Sequence, residues 1–184
     1  MKRFFWGLYV MWLRKRGPKA AARAVLYCNE KLRLHILRAF GASIGPGTHI
    51  RTPMHIMGRY EDFAHIEIGA HTYIGPDCLF DLCDDITIGD RAAVSARCSF
   101  VTHMNVGAGS LADVYPSTTG KVSVGDDTWL GVSTTVLMNA SIGRSCVSAA
   151  GAVVNRDVND GTLAGGVPVR EIKRLTDSEV VTET

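Results

Sequence analysis

His103 is the side chain in this sequence best placed to do chemistry. It lies in Thr102-His103-Met104-Asn105, and the residues that follow, 106–120, are rich in Gly, Ser and Pro. That composition reads as a loop leaving a scaffold. An imidazole at the root of such a loop suits general-base work, because it titrates near neutrality and can take a proton from a bound group. Four acids stand upstream: Asp77, Asp81, Asp84 and Asp85. Asp77 or Asp81 could hold a substrate hydroxyl or orient His103, and an exposed turn acid is an equal reading of either. The five cysteines (Cys28, Cys78, Cys83, Cys98, Cys146) are odd in number and form no CxxC pair. They indicate neither a disulfide framework nor a zinc ribbon, and they fit a reducing, cytoplasmic compartment.

The elements that must position these groups are announced by a repeat. Aliphatic-Gly pairs recur at Ile44-Gly45, Ile68-Gly69, Ile74-Gly75, Ile88-Gly89, Val124-Gly125, Leu130-Gly131 and Ile142-Gly143. Between them an aliphatic or aromatic residue returns every six positions, as in Ile44, Ile50, Ile56 or Val124, Leu130, Val136, Ile142. Four residues after each comes a small one, such as Thr72, Cys78, Cys98, Thr128 or Cys146. A period of six fits neither a helix nor an alternating sheet. It fits a prism with three short strands per coil, aliphatics stacked inside and small residues tucked at the corners. Gly in second position is expected to relax the backbone at each corner. The three cysteines in the small position read as buried, inert thiols. The chain divides into a helical segment over 1–43, the prism over 44–160 with a loop at 106–121, and a cap and tail over 161–184. Residues 19–40 are expected to form a single helix ending at Gly41. A short helix over 169–175 is expected to close the far end, with Val169, Ile172 and Leu175 on one side.

The repeat resembles the left-handed parallel β-helix of the hexapeptide-repeat acyltransferases, over roughly residues 44–158, which makes the fold class an all-β solenoid with a helical N-terminus. Asp127-Thr128-Trp129-Leu130-Gly131-Val132 resembles the Trp-Ile-Gly signature of the maltose and galactoside acetyltransferase group. The run 148–158 resembles that family's Gly-Ala-Gly-Ser-Val-Val-Thr-Lys-Asp-Val, with Ser148 and Ala149 replacing the aliphatic-Gly pair. Leu163 to Arg170 resembles its Ala-Gly-Asn-Pro-Ala-Lys/Arg ending. The resemblance implies an acetyl-CoA-dependent O-acetyltransferase acting on a sugar hydroxyl of a glycan or polysaccharide precursor, close to the colanic-acid-type group. His103 would be the base, and the Val132 N–H would face the oxyanion. Trp129 would line the thioester channel, with Gly131, Ala150 and Gly151 leaving room for an extended pantetheine arm. Arg156, Arg170 and Lys173 would meet the coenzyme's phosphates. Asp77, aligned with an acceptor-binding Asn of related enzymes, would hold the acceptor, with Asp81 as runner-up and Asn105 beside them. The family forms homotrimers with sites between subunits and needs no metal.

Other classes fit the same repeat. An amine acceptor would make the chain an N-acetyltransferase. A prism without chemistry would be an assembly scaffold. The γ-class carbonic anhydrases share the fold and bind zinc across a subunit interface, which would call on His65, His71 and His103. The N-terminus is the other open question. The first forty residues carry ten Lys or Arg and one acid, Glu30. Phe4 to Leu13 is a ten-residue apolar run between basic clusters. It is too short for a bilayer span of about 20 residues, and it lacks a signal-peptide cleavage site. It packs on its own domain or a neighbouring subunit, or it lies on an anionic membrane surface through residues 1–18 with Trp6, Tyr9 and Trp12 at headgroup level. A nucleic-acid arm would have no use for the apolar run.

Overall fold

A residue that returns every six positions faces the same way again after three strands, and the chain is built on that return. The structure is a computed structural model that describes residues 2–175, with side chains from Phe5 onward. Strands rotate in chain order over three parallel sheets. The first face stacks Ser43–Ile44, Ile66–Ile68, Ile86–Ile88, Val122–Val124 and Ser141–Ile142. The second runs from His49–Ile50 through Tyr73–Ile74, Ala93–Val94, Trp129–Leu130 and Val147–Ser148 to Thr162–Gly165. The third stacks Met54–Met57, Cys78–Asp81, Ser99–Val101, Thr135–Leu137 and Val153–Val154.

The repeat positions meet in register. Ile50 pairs with Ile74, Val94, Leu130 and then Ser148 up the second face. On the third face Ile56 leads to Phe80, Phe100, Val136 and Val154. Phe80 and Phe100 are fully buried with ring centroids 5.0 Å apart. The small corner residues are buried for a specific reason. Thr48, Thr72 and Thr128 donate their hydroxyls to the carbonyls of Gly69, Gly89 and Gly143 in the next coil, at 2.6, 2.7 and 2.7 Å. Each hydroxyl also accepts a backbone N–H, from Thr72, Ala92 and Cys146 respectively. Cysteine takes the same place: the thiols of Cys78, Cys98 and Cys146 point at the carbonyls of Ser95, Gly131 and Asn159 at 3.3, 3.3 and 3.1 Å. A corner ladder thus satisfies backbone groups that the turns would otherwise orphan.

The repeat glycines work differently from expectation. None of the seven has a positive φ; that conformation falls two residues later, at His71, Asp77, Arg91, Asp127, Ser133 and Ser145 among others. The glycines are needed because coils touch there. A Cβ on Gly45 would sit 2.4 Å from the Ala70 nitrogen, and one on Gly131 2.6 Å from the Ser148 oxygen.

Three helices cap the first coil: α1 (Lys2–Arg16), α2 (Pro18–Tyr27) and α3 (Glu30–Ala39). The single helix expected over 19–40 is therefore two. Asn29 breaks it, because its side-chain oxygen accepts the Leu32 N–H at 3.1 Å and starts a new helix. Arg33, 2% exposed, holds the break together by donating to the carbonyls of Val25, Cys28 and Ile50. Trp6 does not join Tyr9 and Trp12 on one face, as the lipid reading of the N-terminus supposed; its ring lies against His35, 6.1 Å away. The first break in the period, residues 58–65, sends buried Phe63 onto Phe40 with centroids 5.5 Å apart and ties the cap to the prism.

The far end is also corrected. Residues 169–175 do not form a helix; Arg170–Arg174 is a strand antiparallel to Thr162–Gly165. The last strand of the second face would otherwise leave its backbone unpaired, and a folded-back strand supplies the partners that a helix could not. Val169 is buried while Ile172 is exposed, so the expected apolar side of a helix does not exist. No helix among the described residues is long and apolar enough to cross a membrane.

Candidate active site

The site grows from two neighbouring strand ends on the third face. Strand Cys78–Asp81 finishes on Asp81, and the next coil's strand, Ser99–Val101, runs into Thr102 and His103. Asp81 is 1% exposed. One of its oxygens, Oδ2, accepts the backbone N–H groups of Thr102 and His103 at 2.9 and 3.1 Å and meets His103 Nδ1 at 2.5 Å. Thr102 returns its hydroxyl to the Asp81 carbonyl. Burial by itself would raise the Asp81 carboxyl, but the hydrogen bonds from His103, Thr102 and Cys83 outweigh it and hold the group below its ordinary value. A carboxylate so held keeps the ring proton on Nδ1 and leaves Nε2 as the accepting nitrogen. The His103 side chain is 29% exposed, so a ligand can reach it.

Behind this pair lie two residues that spacing did not single out. Cys83 Sγ stands within 4.8 Å of the Asp81 and His103 donor atoms. Burial pushes its thiol up and the Asp81 charge adds to that, so the thiol keeps its proton beside a carboxylate. The second carboxylate oxygen, Oδ1, is buried without a well-formed hydrogen bond, and this thiol lies beside it. Gly58 has φ +96, and a Cβ there would fall 2.4 Å from Asp81 Oδ1 and 2.9 Å from Cys83 Sγ. The only signal for it in the sequence is a Gly where the six-residue period first lapses.

The loop after His103, expected only to leave the prism, folds back on its own root. His103–Met104 pairs antiparallel with Thr118–Thr119, and a 3₁₀ turn spans Ser110–Asp113. Asn105 is exposed, with its side-chain oxygen accepting the Gly107 N–H at 2.8 Å, so it shapes the loop root. Asp77 is not gathered into the site. It occupies a corner with φ +61 and sits 3.4 Å from His55 Nε2. Of the two acids left open by the sequence, Asp81 is the one on His103.

Trp129 lies on the second face, 53% exposed, with its indole N–H on Ser95 Oγ at 3.0 Å. Beside it the Val132 N–H has no hydrogen-bond partner among the described residues, while its carbonyl accepts the Gly151 N–H at 2.8 Å. Ala150 and Gly151, one coil on, are exposed, so a strip of bare backbone runs along this edge. Within one chain this strip lies where the second face turns into the third, whereas His103 follows the far end of a third-face strand. Arg156 and Arg170 line one cleft of about 220 Å³, whose acids are Asp157 and Glu171; Lys173 is exposed nearby in sequence but does not line it. The three imidazoles proposed for zinc do not meet in one chain: His65 pairs with Asp85 at 2.7 Å, and His71 packs under Gly47. The one trio of close potential ligands among the described residues is Asp81, Cys83 and His103.

No family profile matches the chain. It is 29% identical over 117 residues to the provisionally named acetyltransferase YvoF of Bacillus subtilis, covering 61% of this chain and 63% of that one. It is 31% identical over 144 residues to the bifunctional protein GlmU of Burkholderia multivorans, covering 67% of this chain but 30% of GlmU. The chain thus spans less than two thirds of these relatives' length. Among solved structures, a hexapeptide-repeat acetyltransferase of Vibrio cholerae superposes with TM-score 0.75 at 27% identity, over 92% of this chain and 94% of that one. A maltose O-acetyltransferase of Clostridium difficile gives TM-score 0.70 at 25% identity, over 86% and 84%. A galactoside acetyltransferase in complex with coenzyme A gives 0.77 at 19%, over 93% and 84%, a likeness of fold alone. The six-residue repeat, the three-faced prism and these relatives make the chain similar in sequence and in fold to hexapeptide-repeat acetyltransferases.

Proposed function

We propose that the chain is an acetyl-CoA-dependent O-acetyltransferase acting on a sugar hydroxyl of a glycan or polysaccharide precursor. His103 Nε2 takes the proton from the acceptor hydroxyl as its oxygen attacks the thioester carbonyl. The buried Asp81 carboxylate stabilises the imidazolium that forms. The Val132 N–H meets the oxyanion. Collapse of the intermediate breaks the carbon–sulfur bond, and the coenzyme thiolate recovers the proton from His103. The observation that carries this reading is the 2.5 Å contact between a fully buried Asp81 and a reachable His103.

The coenzyme would run along the bare edge. Trp129 walls the thioester, Gly131, Ala150 and Gly151 admit the pantetheine, and Arg156, Arg170 and Lys173 meet the phosphates. Because the edge and His103 lie at opposite ends of the third face, a complete site would take two chains, which fits a homotrimer with sites between left-handed prisms. Asn105, exposed at the root of the loop, would contact the acceptor. The thiols fit a cytoplasmic enzyme. The test is calorimetry with acetyl-CoA, followed by a transfer assay over sugar acceptors. Micromolar binding, about 8 kcal/mol, is expected, lost in the Arg170→Ala, Lys173→Ala pair. His103→Ala should bind acetyl-CoA yet transfer nothing measurable. Undiminished transfer by His103→Ala would remove it as the base.

A further inference from the structure

We propose that the outer face of α1 docks on an anionic lipid surface. The helix is apolar on two sides, and the sides have different fates. Val10 and Leu13 are buried at 6% and 1% exposure in the core that includes α2 and α3 residues. The opposite side carries Phe5, Leu8, Tyr9 and Trp12, the i, i+3, i+4, i+7 spacing of a single helix face, with Met11 at its edge. They are 61, 45, 37, 46 and 55% exposed. A folded chain rarely leaves so many large apolar groups contiguous unless something covers them.

Charge decides what covers them. Arg16 continues the stripe, its guanidinium 4.5 Å from the Trp12 ring centroid, and Lys15 flanks it. Lys19 and Arg23 follow on α2, both exposed, and neither helix contains an acid. A protein partner would have to match a hydrophobic strip whose own helix carries cations and no acid. The boundary of an anionic bilayer offers acyl chains and negative charge together. Tyr9 and Trp12, stacked at 5.7 Å, are side chains with an apolar body and a polar tip that suit that depth. With no helix long enough to cross, α1 would lie in the interface.

The placement bears on the proposed reaction. Helix α2 packs on strand Met54–Met57, whose third-face neighbour ends on Asp81. Docking would therefore bring the first-coil end of the prism to the lipid, where a lipid-linked glycan would present its hydroxyls. That consequence rests on the proposed transferase reading; the docking does not.

The test is co-sedimentation of the full chain with phosphatidylcholine vesicles, with and without phosphatidylglycerol. Removing residues 1–18 would strip Val10 and Leu13 from the core, so exposed positions are the better probes. Wild-type protein should bind only the phosphatidylglycerol vesicles, and less tightly as salt rises. Leu8→Glu with Trp12→Glu should abolish binding, and Lys15→Glu or Arg16→Glu should each weaken it by about fivefold or more. Thermal unfolding and transfer to a soluble acceptor should be unchanged, which separates loss of docking from failure of the catalytic reading. Absence of wild-type binding, or variants that bind like wild type, would overturn the proposal. So would a fall in solution mass of Leu8→Glu with Trp12→Glu without any vesicle binding, since a second copy would then be the cover.

Discussion

The interior of the prism and the places where its period lapses obey different rules. Inside, one residue type answers another at fixed spacing: Ile74, Val94 and Leu130 stack on the second face, and Thr and Cys exchange freely in the corner ladder. At the lapses the residues are individual. Gly58, Asp81, Cys83 and His103 come from three separate stretches and converge on one carboxylate: His103 Nδ1 meets its Oδ2, Cys83 Sγ lies within 4.8 Å of the pair, and Gly58 leaves no room for a Cβ beside its Oδ1. Regular coils supply a rigid rod, and the irregular turns supply groups held in unusual surroundings. That division explains how a repeat with little chemical variety can carry a site.

The sharpest way to test the division is to injure one region and watch the other. Phe100→Ala, in the stacked core, should cost about 3–5 kcal/mol of stability. Thermal or denaturant unfolding would measure it, and the protein that stays folded should keep its activity per site. Asp81→Asn should do the opposite. Transfer should fall about a hundredfold, because an amide can no longer fix the ring proton or balance the imidazolium. Its effect on stability has a definite pH dependence. The Asp81 carboxyl lies below its ordinary value in the folded chain. Its contribution is therefore fully present above the unfolded carboxylate range near 4 and lost as pH falls through the folded value. Wild type should lose stability relative to Asp81→Asn on acidification below about pH 4; parallel unfolding curves would break the argument.

Smaller effects refine the same contrast. Gly58→Ala places a Cβ against Asp81 at a positive φ. It should cost about 1–3 kcal/mol and also depress transfer, whereas a merely structural glycine would show only the first effect. Thr128→Val removes one rung of the corner ladder and should cost about 1–2 kcal/mol with activity intact. Thr128→Cys should cost less, since Cys98 and Cys146 occupy equivalent corners. A Cys variant as damaged as Val would show that the ladder depends on the hydroxyl's strength as an acceptor.

Much of the rod was legible before any coordinates. The six-residue spacing named which residues stack, and the stacking pairs are those residues. Composition also placed His103 at the root of a loop. Among the things that were not legible, three have a plain physical reason. The repeat glycines looked like corner residues, but their role lies in the closeness of a neighbouring coil, which local sequence does not contain. Residues 169–175 had helical spacing, but an unpaired sheet edge offered backbone partners that outweighed it. Asp77 and Asp81 were chemically equal in sequence. They part only because one falls on an exposed left-handed corner and the other on a strand end beside the next coil's His103.

The sequence by itself determined the prism, because a strict period forces every third strand onto the same face and leaves the aliphatics one place to go. Tertiary structure alone decided which acid partners His103, that Cys83 and Gly58 close in behind it, and that α1 shows one apolar face to the core and another to the outside. Those contacts join residues far apart in the chain, and no local spacing carries their distance.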